Sequence, residues 1–176
     1  MKTLETERLI LRAWSTDDAD DFYAYAKHPE VGLNGGWPPH ESKETSLEVI
    51  GYFIDADDIW AVVLKESGKV IGSVGLHTDS KRPNIKVREL GFVLGADYWG
   101  QGLATEAAKR AVIYAFEELG LDLLSTYHKT FNARAKRVIE KCGFTCEGIL
   151  RQASKRYDEQ IFDAACYSIL KAEYVG

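Results

Sequence analysis

The stretch VRELGFVLGADYWGQGLAT, residues 87–105, constrains this chain more than any other. Val87 to Leu94 reads as a strand, the residues through Tyr98 as a turn, and Gly100, Gly102 and Ala104 open directly into a long helix. Ala104, Ala108, Ala111, Val112, Ala115, Phe116 and Leu119 follow helical spacing up to a stop at Gly120, so the helix has an apolar stripe to lay along a sheet. The junction also has a chemistry. Backbone N–H groups at a helix start lack intrahelical acceptors, and glycine puts no Cβ in front of them, so they can surround an anion such as a diphosphate. Glycine serves ordinary turns as well, so the junction alone does not name a ligand.

The rest of the chain supplies a sheet for that helix. Leu4, Leu9, Ile10, Leu11 and Trp14 make a β-prone opening, after which Ser15 or Thr16 caps a helix with Asp17, Asp18, Asp20 and Asp21 in its first turns. His28-Pro29 closes it. Residues 31–41, VGLNGGWPPHE, read as a loop presenting Trp37 and His40 to a substrate mouth. A second helix runs from Ser42 to about Ala56, with Leu47, Ile50 and Phe53 or Ile54 as its stripe. Ile59 to Leu64 and Val70 to His77 form a hairpin around Glu66-Ser67-Gly68-Lys69, and a polar connection at 79–86 leads to the Val87 strand. Beyond the long helix, Leu121 to His128 is a strand and Asn132 caps a short helix. Its Ala135, Val138, Ile139 and Cys142 face inward, with Arg134, Lys136, Arg137 and Lys141 on the opposite face. Thr145 to Leu150 and Ile161 to Leu170 are strands around a charged loop at 151–160. The order βααβββαβαββ predicts an α/β fold, a mixed sheet of six to seven strands covered by helices. A length of 176 residues with 45% hydrophobic content fits one domain over 1–176.

A net charge of −5 gives no bulk attraction for nucleic acid, though it favours a cationic substrate. No apolar run is long enough to span a membrane and no leader precedes the fold, so the expected location is cytoplasmic. Cys142, Cys146 and Cys166 have apolar neighbours and no paired CxxC spacing; they read as buried thiols, and no metal site is expected.

Four segments in register then carry a resemblance: TERLILRAW, ELGFVLGADYWGQGLATEA, NARAKRVIEKCGF and EGILR. Together they resemble the GNAT superfamily of acetyl-CoA-dependent N-acetyltransferases, and within it the RimJ/RimL-like branch. The family's Q/R-x-x-G-x-G/A motif falls on Trp99-Gly100-Gln101-Gly102-Leu103-Ala104, with Trp99 in place of the usual Gln or Arg. The resemblance implies that Gly100, Gln101, Gly102, Leu103, Ala104 and Thr105 hold the CoA diphosphate on their amides. It implies that the central strand splays from the following parallel one, so that the backbone of Phe92, Val93 and Leu94 pairs with the pantetheine arm. Asn132 matches a family Asn that contacts the cofactor from the other side, and reads equally as a plain N-cap.

The implied reaction is direct attack of a neutral amine on the thioester, with the oxyanion received by backbone N–H near Leu94. Glu89, a carboxylate on the central strand, is the first choice of base; the alternative is an ion pair with Arg88 or Lys86. Tyr127 and His128 are reserve catalytic candidates, as is His77. Relatives often carry a Tyr seven residues after the Asn, or a Ser three after it, to protonate the thiolate; this chain has Ile139 and Ala135 there, and neither donates a proton. The acceptor, a protein N-terminus or a small amine, is expected between the Trp37–His40 loop and residues 151–160. Related enzymes are often dimers, which makes a homodimer an expectation too. Two other readings stand beside the transferase: a non-catalytic CoA-binding sensor, and a nucleotide-binding α/β domain. The latter lacks the full dinucleotide fingerprint and a phosphate-loop Gly-Lys-Ser/Thr.

Overall fold

Period-two strands and helical stripes resolve, in a computed structural model that describes residues 1–175, into a single eight-stranded sheet. In chain order the elements are β1 (Leu4–Glu5), β2 (Leu9–Arg12), α1 (Ala19–Ala26), α2 (Pro29–Gly35), α3 (Lys43–Ala56), β3 (Ile59–Leu64), β4 (Val70–His77) and β5 (Val87–Leu94). There follow α4 (Leu103–Ile113), β6 (Leu123–Lys129), α5 (Ala133–Lys141), β7 (Thr145–Lys155) and β8 (Ile161–Leu170). The strands lie in the order β1-β2-β3-β4-β5-β6-β8-β7. Every neighbouring pair is antiparallel except β5 and β6, the pair bridged by α4.

The mixed α/β architecture matches the expectation, with three differences. The β-prone opening is broken into two short strands that pair with each other, which brings the sheet to eight. Pro29 closes α1 but also begins α2, which runs on into the expected 31–41 loop, because its fixed φ suits the first helical position; Gly36, at φ 99°, ends that helix. The strand β7 continues to Lys155, well into the expected 151–160 loop. Its ladder with β8 is interrupted at Cys146/Gly148 and again at Leu150/Ser154, as expected of an edge strand that twists away from its neighbour.

The caps are local and specific. Ser15 accepts the Asp17 N–H, while buried Asp18 accepts the Ser15 N–H and takes both Arg12 guanidinium nitrogens at 2.7 and 2.8 Å. The Asn132 side chain accepts the Ala135 N–H at 3.0 Å and starts α5. Two apolar clusters then sandwich the sheet. Leu90 and Leu94 of β5 pack with Leu103, Ala107, Ala108 and Ala111 of α4 on one face. On the other, Phe22 and Tyr25 of α1 and Ile50 of α3 pack with Ala61, Val63 and Val70, and Val93 joins them. Fully burying a side chain the size of Leu90 or Ile50 stabilises the fold by roughly 1.5–3 kcal/mol. The middle strand is thereby held from both sides where it must keep its position.

Candidate active site

The two parallel strands stay together only at their beginnings. β5 and β6 pair at Val87↔Leu123, Arg88↔Leu124 and Glu89↔Ser125, and a last link runs from Thr126 Oγ1 to the Leu90 carbonyl at 2.8 Å. Beyond it they diverge. The opening is a cavity of about 560 Å³, walled by Phe92, Val93 and Leu94 of β5, by Tyr98 to Thr105 save Gln101, by α5, and by Val31, Asn34 and Gly35 of α2.

Backbone alternation decides which groups β5 offers to it. The Gly95 N–H donates to Ile71 O on β4 at 2.8 Å, so the N–H and C=O groups of Leu94 and Phe92 turn toward the splay and those of Val93 toward β4. The Leu94 carbonyl is occupied by the Trp99 indole N–H at 2.9 Å, which leaves the Leu94 N–H facing the cleft. At the α4 start, Gly100 and Gly102 sit at φ 77° and 80°, a region other residues reach only with strain. A Cβ built at Gly100 would meet nothing within 4 Å, and both glycines line the cavity. The first intrahelical bond is Glu106 N–H to Gly102 O, leaving the preceding amides as free donors.

A carboxylate in the first turn would oppose a bound anion, but Glu106 is neutralised. Burial pushes its pKa up, yet hydrogen bonds from Thr6 and from the Arg8 backbone and side chain outweigh this and hold it below the usual range. Arg8 also donates to Gln101 O at 3.1 Å, tying the glycine turn to the start of β2. The Gln101 amide itself donates to Asp97 O at 3.0 Å and does not line the cavity.

The facing wall carries a feature that the sequence reading placed elsewhere. Arg134, Arg137 and Lys141 line the cavity rather than lying opposite it, and only their spacing of i, i+3 and i+7 on α5 pointed to a shared face. The Arg134 guanidinium lies 4.0 Å from the Trp99 ring centroid and pairs with Glu30 of α2 at 3.1 Å. Both members of that pair are more than half exposed, so it adds little stability. Asn132 reaches the cavity and caps α5 at once. Ala135 lines the cavity and Ile139 is fully buried, so neither position brings a proton donor.

Register settles the face of Glu89. The pairing from Gly72↔Leu94 to His77↔Glu89 is unbroken, so no bulge intervenes, and Glu89 shares a face with Gly91 and Val93, away from α4. Its partner is neither Arg88 nor Lys86 but Lys81, whose Nζ lies 2.8 Å from Glu89 Oε2. Tyr127, two residues beyond the Glu89 partner Ser125, is on the same face; burial first, then Glu89, raises its pKa. His77 lies across from Glu89, with Nδ1 3.1 Å from Asp58 Oδ2. His128 is on the other face, buried, with its ring nitrogens 2.8 Å from Lys129 O and 3.3 Å from the Tyr167 hydroxyl.

Trp37 and His40 do not reach the cavity. Trp37 folds back on α2, where a Cβ at Gly35 would fall 2.0 Å from its ring. His40 is buried, hydrogen-bonded to Ser46 Oγ at 2.8 Å and edge-on to Phe22, and desolvation lowers its pKa. The cysteines correct the expectation of three buried thiols: Cys146 is exposed and Cys142 and Cys166 are half-buried. Burial pushes the Cys142 thiol up to about 11, away from the reactive thiolate. Among the described residues, no group of three or more His, Cys, Asp and Glu could hold a metal ion, and no helix is long and apolar enough to cross a membrane.

The family profile described as an acetyltransferase (GNAT) domain matches residues 8–145. The chain belongs to the GNAT acetyltransferase family. Among curated relatives, the uncharacterized N-acetyltransferase YoaA of Bacillus subtilis (strain 168) is 31% identical over 173 residues, 96% of each chain. The uncharacterized N-acetyltransferase p20 of Bacillus licheniformis is 29% identical over 181 residues and is matched over 100% of both chains. The crystal structure of a GNAT family acetyltransferase from Bacillus anthracis has the same fold, with a TM-score of 0.88 at 23% identity over 98% of this chain and 100% of that one. GNAT membership makes this protein an acyltransferase, and the family's acetyl donor is acetyl-CoA.

Proposed function

We propose that the protein is an acetyl-CoA-dependent N-acetyltransferase that moves an acetyl group to a primary amine, by direct attack within a ternary complex. The observation that carries this reading is the splay itself, in which an outward-turned β5 edge and a glycine-led helix start share one cavity, while Glu89 stands on the other face of the same strand. The cavity has groups suited to each part of the donor: free amides and helix dipole for a diphosphate, cationic side chains for further phosphate charge, and a strand edge for an amide-bearing arm. Acetyl-CoA, when bound, supplies the acetyl group activated as a thioester.

The remaining roles belong to the chain. Amides of Gly100 to Thr105 hold the diphosphate, and Arg134, Arg137 and Lys141 draw phosphate charge to the opposite wall. Phe92 presents its N–H and C=O to the arm, and the Leu94 N–H, the one Leu94 main-chain group left open, stabilises negative charge developing on a carbonyl oxygen. Glu89 takes a proton from the incoming amine, directly or through water. Positions 135 and 139 carry no proton donor, so the departing thiolate takes its proton from water or from another residue such as Tyr127, which lies on the Glu89 face. The acceptor class is a protein N-terminal amine or a small amine.

A second reading, a non-catalytic CoA-binding sensor, is favoured by Ala135 and Ile139. Release of CoA from acetyl-CoA, followed with a panel of N-terminal peptides, polyamines and aminoglycosides, separates the two. The expected outcome is saturable release with at least one amine. Tight acetyl-CoA binding without transfer to any amine would favour the sensor.

A further inference from the structure

The chain carries a net charge of −5, yet the face of the sheet that would meet the acceptor holds a buried cation beside the cofactor cavity. Four residues on from the Glu89↔Ser125 pair, β5 reaches Val93 and β6 reaches Lys129. By strand alternation Lys129 therefore lies on the Glu89 face, level with Val93 and next to the level of the Leu94 N–H. Lys129 is 9% exposed, whereas every other described lysine is exposed. Its Nζ reaches under α2, 3.3 Å from Asn34 O, and Gly36 leaves it room, since a Cβ there would fall 2.9 Å from Nζ. Asn34 and Gly35 line the cavity, as does Asn132, whose N–H donates to Lys129 O at 2.8 Å. The ammonium thus stands against the cavity wall.

That ammonium is short of partners. It has three N–H donors and a single carbonyl acceptor, at a distance beyond the usual N–H···O range. Lys2, Lys43, Lys65, Lys81, Lys136 and Lys155 each pair with a carboxylate; among the described residues Lys129 pairs with none. Its charged neighbour Arg156 is already neutralised, with Nε 2.8 Å from Asp158 Oδ1, which leaves Lys129 as the uncompensated charge. Burial lowers the Lys129 pKa, Arg156 lowers it further, and Asp158 opposes them only in part. A buried cation without a counter-ion is costly, and an uncharged donor would hold Asn34 O without that cost. We infer that Lys129 selects the acceptor by pairing with a carboxylate that the incoming primary amine itself carries. The inference rests on the N-acetyltransferase reading and narrows its acceptor class to an amine bearing a carboxylate, either a free amino acid or a peptide with an acidic residue at its N-terminus. A polyamine, cationic throughout, would meet like charge there.

The test measures kcat and KM of the full-length protein with matched acceptors at saturating acetyl-CoA, polyamines being run alongside. One arm sets free amino acids against their α-amides; the other sets peptides beginning with Asp against the same peptides beginning with Asn. In at least one arm the carboxylate member is expected to have a kcat/KM higher by about 10-fold or more, the range for a hydrogen bond between charged groups, carried mainly by KM. The arm that shows the gap identifies where the carboxylate sits. Lys129→Met, checked for folding by its melting transition, is expected to close the gap by bringing the carboxylate member down to the level of its neutral counterpart, and Lys129→Arg to keep part of it. If amines are acetylated with no preference for a carboxylate in either arm, or polyamines are the best acceptors, the inference is overturned and the transferase reading stands. A gap of the same width in Lys129→Met, or an equal loss for both members as a mere clamp on α2 would give, also overturns it. If the parent protein acetylates no amine at all, the inference falls together with the transferase reading.

Discussion

Gly102→Glu is expected to lower acetyl-CoA affinity by about 100-fold or more, equivalent to roughly 2.7 kcal/mol or above. Two effects add. Gly102 sits at φ 80°, so any side chain strains the turn, and glutamate sets a negative charge at the helix start where a diphosphate would be held. The nearest cation, Arg8, is 3.6 Å from the Cβ position but is already engaged by Glu106 and Gln101, so it is poorly placed to neutralise the new charge. Gly102→Ala separates the two effects, since it brings the strain without the charge and should lose less affinity. The check is calorimetric titration with acetyl-CoA, with thermal melting to confirm folding. Unchanged affinity in Gly102→Glu would remove the diphosphate cradle from this site.

Glu89→Gln should separate chemistry from binding. The expected result is a fall in kcat of about 100-fold or more for an amine acceptor, the range for removal of a general base, with acetyl-CoA affinity within about twofold of the parent. The expectation of intact cofactor binding follows from the register: Glu89 lies on the face opposite α4, while the cradle is formed by the outward edge of β5 and the α4 start. Glutamine keeps the size and a hydrogen-bond acceptor for Lys81 but cannot take a proton at neutral pH. Rapid-mix measurement of CoA release with a saturating amine reads the change. An unaltered kcat would take the base role from Glu89 and leave Tyr127 and His77 to be tried on the same face.

Much of this was legible where a residue's role depends on its near neighbours in sequence. Gly100 and Gly102 follow a strand and precede an apolar stripe, and the structure places them at positive φ at a helix start. Asn132 reads as a cap and is one. The α2 helix was harder to see: at seven residues it is short, and the glycines around Trp37 resemble loop punctuation until the ring is seen folded on Gly35. The extension of β7 through Lys155 is an exposed edge, with no buried face to impose alternation on the sequence. The cationic wall was missed for another reason. An inward-facing stripe of Ala135, Val138 and Ile139 made the charged residues look solvated, whereas a splayed sheet leaves a hollow beside the helix that Arg134, Arg137 and Lys141 can face. The Lys81–Glu89 pair depends on a loop crossing back over its own strand, anchored through Asp79 to Ser125, and local pattern carries no sign of that.

The central claim is that the cavity between β5 and β6 is built for acetyl-CoA. Isothermal titration of the full-length protein with acetyl-CoA, ATP and NAD in parallel tests it most directly. The predicted result is saturable binding of one acetyl-CoA per chain, much tighter than either nucleotide; binding of ATP or NAD in preference to acetyl-CoA would contradict it.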